Sequence, residues 1–411
     1  MDTINKLITP NKIGSNNRFY SYIFYNFIAT ITNPFYTALS DLRHLFYPFV
    51  PVGHLKVWVL APSINNPDPN LAYYYDFSQS IEEYTRVFES LDIPWKWQPV
   101  TLENYKKIIQ EIAGERDKGI VFPVVLNLCD GDEINGAPGV SVIKALESKK
   151  LIYTGATDYF YEITTSKIPM KIAFNEAGVP TPKWASIKDK NYNAEEIIKE
   201  LGNPLIVKPA VSGGSLGVGV KNVVNDTHSL KTQLDKMFEG YRGWNLATDG
   251  IIAESFIEGP EYTVMIVGSY NQPEFAKIYP PVERVFHASL PEQEKFLSFD
   301  RLWEIYEEES PMPSEENFYE YQLGDPAIQM EIQKVSWDAY ASVNGTGYTR
   351  VDVRVDKHTG QPHVLEVNAQ CGISEDENFT SIGAILRFAN QSFTELIIHI
   401  INDAFARRRK N

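Results

Sequence analysis

Four polar side chains alternate with apolar ones in two neighbouring segments near the carboxyl end of the chain: Arg350, Asp352, Glu366 and Asn368. Residues 357–362, between the two segments, have the composition of a turn. A period of two places the four side chains on one face of two strands. Two carboxylates and an amide oxygen are ligands that Mg²⁺ accepts while it binds nucleotide phosphates. The pattern therefore predicts a metal–nucleotide site, against the alternative of an ordinary hairpin with a polar solvent face.

A glycine-rich loop, residues 211–219, follows an apolar segment that ends at Lys208 and Pro209. Small residues let backbone N–H groups approach phosphate closely, and a lysine supplies a positive charge for phosphate oxygens. The loop lacks the Gly-Lys-Ser/Thr ending of a Walker loop and leads into a strand-like run, which disfavours a P-loop nucleotidase. Taken alone, a glycine-rich hairpin is as often structural as functional.

A third segment, residues 250–268, contains two apolar runs joined by a stretch with three glutamates. Lysine loop, glutamate segment and acidic face, in that order, resemble the ATP-grasp family, specifically its D-alanine–D-alanine ligase branch. The resemblance extends over residues 55–405. It implies an α/β chain, α+β in parts, with a three-domain ATP-grasp fold that holds the nucleotide between the central and C-terminal domains.

The resemblance also implies which residues bind the nucleotide. The residues concerned are Lys167 and Lys208 at the phosphates, Ser215 in the glycine-rich loop, Glu254 and Ile257 at the adenine, and Glu261 at the ribose hydroxyls. ATP and Mg²⁺ are the implied cofactors.

The same resemblance implies the metal ligands and the catalytic residues. The ligands of two Mg²⁺ ions, which Mn²⁺ can replace, are Asp352, Glu366 and Asn368. Arg350 resembles the arginine that stabilises the reacting carboxylate and the tetrahedral intermediate, aided by a backbone N–H near Gly372. Lys295 resembles the lysine of a mobile loop that closes over the phosphates, and Asp76 the acid that meets the first substrate's amine.

Such a site has a definite chemical task. A carboxylate is a poor electrophile at neutral pH, so it must first become an acyl phosphate while two anions are held in contact. An amine then attacks the acyl phosphate and inorganic phosphate leaves, with Arg350 and a main-chain donor supporting the oxyanion. The predicted function is therefore an ATP-dependent carboxylate–amine ligase that forms a peptide bond between small amino acids or related substrates.

Three positions depart from the family pattern. Phe296 stands where a tyrosine is usual and Gly214 where a serine is usual, so two hydroxyls are missing. A phenylalanine also occurs in family members that accept a hydroxy acid, which keeps an ester product open. Glu377 falls where a small hydroxyl residue usually meets the second substrate's carboxylate, and like charges would repel there. We therefore expect an altered acceptor, cationic or lacking that carboxylate.

Two other classes of protein would use the same residue types. A kinase-like phosphotransferase would use the ATP and Mg²⁺ residues, need no amine and release a stable phosphorylated product. A non-catalytic nucleotide-binding scaffold is disfavoured by the complete set of lysines and metal ligands.

The composition is that of a globular enzyme. A chain of 411 residues with 43% hydrophobic content can bury a large core and divide into two or three domains. A net charge of −15 disfavours a nucleic-acid partner. Cys129 and Cys371 are the two cysteines, which indicates free thiols and a cytoplasmic setting. The seven histidines have no zinc-ligand spacing, and the resemblance implies a homodimer.

Four domains or segments are predicted: an aromatic-rich extension at 1–50, an α/β substrate domain at 51–160, a central ATP-grasp domain at 161–268 and a C-terminal ATP-grasp domain at 269–411. The apolar run 19–31 is too short for a transmembrane span, so it predicts a docked helix or a peripheral membrane contact.

Within these domains the periodicity predicts several individual elements. They are a first strand at 55–60, a helix at 77–91, a buried strand at 121–128, a helix at 166–177 and a lid without regular structure at 280–320. Polar residues after the buried strand, at 127–132, lie where ligands bind in open α/β sheets.

Overall fold

The computed structural model describes residues 55–64, 76–134, 136–241, 243–303, 309–312, 316–377 and 380–408. The predictions for residues 1–50, including the apolar run 19–31, lie outside these ranges. Within the ranges, no helix is both long enough and apolar enough to cross a membrane.

The amino-terminal part of the described chain is a parallel sheet with helices on both faces. Its elements are β1 (Leu55–Pro62), α1 (Ser78–Ser90), β2 (Trp95–Val100), α2 (Tyr105–Asp117), β3 (Phe122–Asn127), α3 (Val140–Ser148) and β4 (Ile152–Tyr153). The strand order is β2-β1-β3-β4. Val57 and Val59 of β1 lie in one hydrophobic cluster, whereas Trp58 and Leu60 lie in another. Both faces are buried because the helices of a parallel sheet cover both.

Two helices connect this sheet to the next, α4 (Asp158–Thr165) and α5 (Lys167–Ala177). Ser166 caps α5, since its hydroxyl accepts a hydrogen bond from the Ile168 N–H at 3.3 Å. Gly178 ends α5 in the left-handed conformation, with φ of 70°. The strands predicted at 55–60 and 121–128 and the helices predicted at 77–91 and 166–177 are thereby confirmed.

The central part is an antiparallel sheet with a core of its own. Its elements are β5 (Trp184–Ile187), α6 (Ala194–Leu201), β6 (Leu205–Pro209), β7 (Val223–Val224), α7 (Thr227–Glu239) and β8 (Ile251–Ser255). The strand order is β5-β8-β6-β7. Leu205 and Val207 of β6 pack with Leu230 and Leu234 of α7. The alternate residues of β6, among them Lys208, therefore face the other way.

The glycine-rich loop leads into a strand only after an intervening turn, which corrects the predicted direct passage. A 3-10 turn at Val220–Asn222 precedes β7, which is two residues long and pairs back onto β6. The Asn222 side-chain amide donates to the carbonyls of Val207 at 2.8 Å and Gly217 at 2.9 Å. These bonds hold the loop against the strand that carries Lys208.

The carboxyl-terminal part is built on a six-stranded sheet. Its elements are β9 (Glu261–Val267), β10 (Lys277–Ile278), β11 (Val282–Phe286), α8 (Phe299–Trp303), β12 (Tyr319–Leu323), α9 (Pro326–Ser342), β13 (Tyr348–Val355), β14 (Pro362–Ala369), α10 (Ser381–Ala389) and α11 (Phe393–Arg408). The order is β12-β11-β9-β13-β14, with β10 paired to β9. All of these pairs are antiparallel.

Strand β9 falls inside the predicted central domain, 161–268, but pairs with strands of the carboxyl-terminal sheet. The chain crosses between the two sheets at Gly259, whose φ is 140°. A Cβ atom there would collide with the Val355 carbonyl oxygen, so this crossing requires glycine.

The predicted absence of regular structure at 280–320 is wrong. Strands β11 and β12 form an antiparallel pair at the two ends of the segment, and a 3-10 turn (Glu292–Glu294) and α8 lie between them. Arg284 occupies an inward position of β11, between the buried Val282 and Phe286. A charged residue at that position breaks the apolar alternation by which a strand is recognised.

The first and last sheets share one hydrophobic core. It contains Val57 of β1, Tyr84 of α1, Met265 of β9 and Leu396 of α11. The rings of Tyr84 and Phe393 meet edge to face, with centroids 5.5 Å apart. This packing fixes the carboxyl end of β3 next to the hairpin of β13 and β14.

Candidate active site

The described residues contain a cavity of about 1030 Å³ where the three sheets meet. The amino-terminal part contributes Asp76 and Asp130 to its lining, and the central part contributes Lys208 and Glu254. The carboxyl-terminal part contributes the hairpin of β13 and β14. All of the predicted site residues except Lys295 line this cavity; they are Asp76, Lys167, Lys208, Ser215, Glu254, Ile257, Glu261, Arg350, Asp352, Glu366, Asn368 and Gly372.

The hairpin has the predicted register. Arg350 lies opposite Asn368 and Asp352 opposite Glu366, so all four side chains share one face. The Arg350 guanidinium donates to both Asp352 oxygens, at 3.2 and 3.1 Å, and the Asn368 amide donates to one of them at 3.1 Å. Burial would lower the pKa of Arg350, but its neighbours, Asp352 foremost, together raise it. The face is therefore held together by its own charges.

The donor set of this face fits Mg²⁺. Asp352, Glu366 and Asn368 offer carboxylate and amide oxygens, the hard ligands that this ion prefers. Glu366 lies 3.5 Å from the ammonium of Lys167. In the part of the chain that the structure describes, no group of three or more His, Cys, Asp or Glu side chains is placed to hold a metal ion. The third donor here is an amide, and Mg²⁺ completes such a set with water and phosphate oxygens.

Glu254 lies between two lysines in the interior. Its carboxylate oxygens lie 2.8 Å from the Lys171 ammonium and 2.7 Å from that of Lys208. Glu254 is 1% exposed and Lys171 is fully buried. Burial opposes ionisation, but the two lysine charges outweigh it and lower the pKa of Glu254 to about 2. Sequence reasoning missed Lys171, although its position one helical turn after Lys167 was a usable signal.

Glu261 is held in the same way by two arginines. Arg284 donates to one carboxylate oxygen, and Arg354 donates to the other at 2.7 Å. Burial would raise the pKa of Glu261, but Arg354 and Arg284 lower it. Both arginines line the cavity and were missed from sequence. Arg354 continues the alternation of Arg350 and Asp352, which was a signal for it.

Lys295 lies outside the cavity lining. Its ammonium contacts a Glu292 oxygen at 2.5 Å, within the 3-10 turn before it. The neighbouring Phe296 does line the cavity and meets Phe256 edge to face, with ring centroids 6.0 Å apart. In this conformation, Phe296 points toward the site and Lys295 points away.

Asp76 lines the cavity but is engaged locally. One of its oxygens accepts from the backbone N–H of Ser78 at 2.9 Å and from its hydroxyl at 2.5 Å. The Ser78 hydroxyl is the larger cause of a lowered pKa of Asp76. Asp76 therefore shapes the turn that leads into α1.

Glu377 does not line the cavity, which removes the predicted repulsion of a substrate carboxylate. Its carboxylate is paired with the Arg387 guanidinium at 2.6 and 2.8 Å. The hydroxyl residues Ser374, Thr380 and Ser381 line this end of the cavity instead. The arginine ten residues later on α10 neutralises the charge that sequence reasoning treated as free.

Both cysteines are free and buried. Burial raises the pKa of Cys371 to about 12, with Arg350 opposing that rise. A thiol with this pKa stays protonated at neutral pH, as expected of a packing residue.

Comparison with known proteins agrees with this geometry. The family model described as "D-ala D-ala ligase C-terminus" matches residues 173–402. A D-alanine–D-alanine ligase of Nitrosomonas eutropha is 28% identical over 265 residues, covering 64% of this chain and 74% of the relative. The corresponding ligase of Methylococcus capsulatus is 28% identical over 286 residues, covering 69% and 80%.

Solved structures show the same fold. The D-alanine–D-alanine ligase of Bacillus anthracis complexed with ATP has a TM-score of 0.58 at 20% identity and covers 86% of this chain and 99% of its own. The Coxiella burnetii ligase has a TM-score of 0.59 at 15% identity, covering 87% and 96%. With a family model that spans more than half of its length, the chain belongs to the D-alanine–D-alanine ligase family, whose fold is that of ATP-grasp enzymes.

Proposed function

We propose that this chain uses ATP to join the carboxylate of a small amino acid to an amine, through an acyl phosphate. As a family member, it is an ATP-dependent ligase that forms carbon–nitrogen bonds. The observation that carries the proposal is one cavity lined both by the Arg350 hairpin face and by Lys167 and Lys208. The names of the relatives favour a ligase over a kinase-like phosphotransferase.

In the first step, the substrate carboxylate attacks the γ-phosphorus of ATP, the bond from that phosphorus to the bridging oxygen breaks, and ADP leaves. Lys167 and Lys208 hold the phosphates, and the N–H groups of the loop around Ser215 approach them. Glu254 and Ile257 lie at the adenine and Glu261 at the ribose. The two lysines and the N–H groups of the loop stabilise the charge on the transferring phosphoryl group.

Asp352, Glu366 and Asn368 would hold Mg²⁺, as two ions. The metal would neutralise the phosphate charge that builds up during transfer. Arg350 leaves its contact with Asp352 in part to meet the substrate carboxylate, since both lie on the same face.

In the second step, the amine attacks the acyl carbon and loses a proton. The bond between the acyl carbon and the bridging oxygen breaks, and inorganic phosphate leaves with that oxygen. Arg350 and the backbone N–H at Gly372 support the oxyanion of the tetrahedral intermediate. Closure of the segment that carries Lys295 would bring a further cation over the phosphates.

We also propose that the acceptor differs from D-alanine. Phe296 and Gly214 both line the cavity and lack the hydroxyls usual at their positions. The loss of two hydrogen-bonding groups changes the pocket that orients both substrates, and a hydroxy acid acceptor with an ester product is the alternative to an amine acceptor. Glu377 does not contribute to this proposal because Arg387 pairs with it.

The predicted domain boundaries and a homodimer are further proposals that rest on the family resemblance, and a cytoplasmic location is a proposal that rests on the two free cysteines. Light scattering on the purified chain tests the dimer: a mass of two chains supports it and a mass of one chain contradicts it.

The decisive experiment measures ADP and phosphate release with Mg²⁺ and ATP across D- and L-amino acids, hydroxy acids and amines, singly and in pairs. Products are identified by mass. Release only with a pair, and a product equal to both substrates less water, supports the ligase and identifies the bond. Release with one substrate, and a product heavier by one phosphoryl group, contradicts it.

A further inference from the structure

The loop after β3 carries an acid into the cavity that none of the roles above uses. Asp130 lies three residues beyond the end of β3 and lines the cavity together with Gly131. The loop is fixed from two sides. The Gln370 side-chain amide donates to the Asn127 carbonyl, and the Tyr161 hydroxyl donates to the Gly131 carbonyl at 2.7 Å. The position of Asp130 is therefore set by the hairpin and by α4.

Asp130 has no positively charged partner among the residues that the structure describes. Its side chain is exposed and lines the cavity. The titratable groups around it are acidic or neutral: Cys129, Asp132, Tyr161, Tyr348 and Cys371. Enclosure by the protein raises the pKa of Asp130 to about 6, with Asp132 adding to the rise. An enclosed anion of this kind is stabilised by a ligand that brings a cation.

Arg350 and Cys371 line the same cavity as this acid. The thiol of Cys371 experiences both charges, which oppose each other there: Arg350 lowers its pKa and Asp130 raises it. A cation and an anion thus line one cavity and both lie close enough to Cys371 to affect its pKa. That pair of charges matches an amino acid, which carries a carboxylate and an ammonium group on one small molecule.

We propose that Asp130 binds the ammonium group of the first substrate while Arg350 binds its carboxylate. Asp130 thereby restricts the first substrate to amino acids with a free amine. The inference deepens the proposed function and rests on it. Asp76, to which the family resemblance gives this role, is already engaged by Ser78.

The test is D130N, with D76N as the matched control and D130E as the rescue variant. Asn has the shape of Asp, and Asp130 forms no ion pair among the described residues, so D130N is expected to fold, which a thermal melt checks. A lost charged hydrogen bond corresponds to about 10- to 100-fold in affinity. We expect the KM for the first amino acid to rise by that factor in D130N, with kcat and the KM for ATP little changed, and D130E to recover part of the loss.

The same variants are compared on the des-amino analogue of the active amino acid. Wild type is expected to prefer the amino acid, and D130N to lose that preference. An unchanged KM in D130N with a raised KM in D76N would overturn the proposal in favour of Asp76.

A binding measurement separates this inference from the proposed function. Calorimetry of the amino acid with wild type and D130N needs no turnover. Weaker binding to D130N supports the role of Asp130 even if no pair of substrates gives a ligated product. Equal binding to both overturns it even if wild type is an active ligase.

Discussion

At the scale of single residues, the acids of the hairpin face and of the central sheet are each matched by a cation. Asp352 is paired with Arg350, Glu366 lies near Lys167, and Glu254 bridges Lys171 and Lys208. A triphosphate or a metal entering the cavity must therefore replace a partner that is already present. This pairing lowers the free-energy cost of burying these charged side chains, because an unpaired charge in the interior destabilises the fold far more than a paired one.

Replacing Arg350 with glutamine is expected to lower kcat by about 10²- to 10³-fold, because the oxyanion loses its main charged donor. The KM for ATP changes little, since Lys167 and Lys208 remain. Steady-state kinetics of product formation measures both. R387Q is the matched control, because Arg387 pairs with Glu377 outside the cavity. A kcat for R350Q equal to that of R387Q contradicts the assigned role.

Replacing Lys171 with methionine is expected to destabilise the fold by about 3–5 kcal/mol, because a buried carboxylate loses one of its two partners. Urea unfolding measures the change. K144M is the control: Lys144 and Glu162 form an ion pair with both side chains 52% exposed, and solvent screens such a pair, so little change in stability is expected. Equal effects of the two substitutions would mean that Lys171 is not needed to hold Glu254.

Sequence reasoning reached the residues whose signals are local. The alternation of Arg350, Asp352, Glu366 and Asn368 lies in two segments joined by a turn, so their shared face could be predicted. The pairing of Glu261 with Arg284 and Arg354 could not be predicted, because these residues meet only through the register of three strands. Likewise, the sequence shows that Glu377 is charged, but the direction in which its side chain points depends on where α10 places Arg387.

At the scale of elements, α11 shows how a helix can depend on pH. His399 of α11 and Lys277 of β10 are both enclosed where the helix packs on the sheet, with Glu395 nearby. Burial, and then the charge of Lys277, lowers the pKa of His399 to about 4. Burial lowers the pKa of Lys277 to about 8, with Glu395 opposing it. The helix is therefore docked with a neutral imidazole.

Stability is expected to fall as the pH decreases from 6.5 toward 4. His399 binds a proton near pH 6.5 in the unfolded chain but only near pH 4 in the folded chain. Proton binding between these two pH values therefore stabilises the unfolded state and lowers the free energy of unfolding. One pKa unit corresponds to about 1.4 kcal/mol, so the full window contributes roughly 3 kcal/mol. H399Q should reduce this dependence. Urea unfolding of wild type and H399Q at pH 7 and 4.5 measures it, and parallel losses in both would contradict the assignment.

The elements that sequence predicted best are those whose buried faces are wholly apolar or whose ends are marked. Strand β1 is apolar on both faces, and α5 starts at Ser166 and stops at Gly178. Strands β11 and β12 escaped prediction because Arg284 and its neighbouring glutamate hide the alternation. The same arginine is buried only because Glu261 of another strand neutralises it.

At the scale of the whole molecule, the first and last sheets share a hydrophobic core, whereas the central sheet has a core of its own. The first and last sheets share one cluster that includes Leu396, whereas the central sheet packs with α6 and α7 around Leu230 in another. The central part is therefore packed less tightly against the rest of the fold than the first and last sheets are packed against each other.

Replacing Leu396 with alanine is expected to lower the free energy of unfolding of both outer sheets by about 2–5 kcal/mol. The matched variant L230A should affect the central part alone. Hydrogen exchange followed by mass spectrometry reads each sheet separately. Protection lost only in α11 and its neighbours of the last sheet, with the first sheet unchanged, would show that the outer sheets do not unfold together.

Gln370 connects the first and last sheets through two hydrogen bonds. Its side chain accepts a hydrogen bond from the Ala156 N–H at 2.9 Å and donates one to the Asn127 carbonyl, so it joins the last strand of the hairpin to the first sheet. Because these two bonds hold the outer sheets together, any opening of the cavity would come from movement of the central sheet. The groups that the first and last sheets present to the cavity would then keep their spacing throughout a turnover, while the nucleotide and the amino acids are replaced in each one.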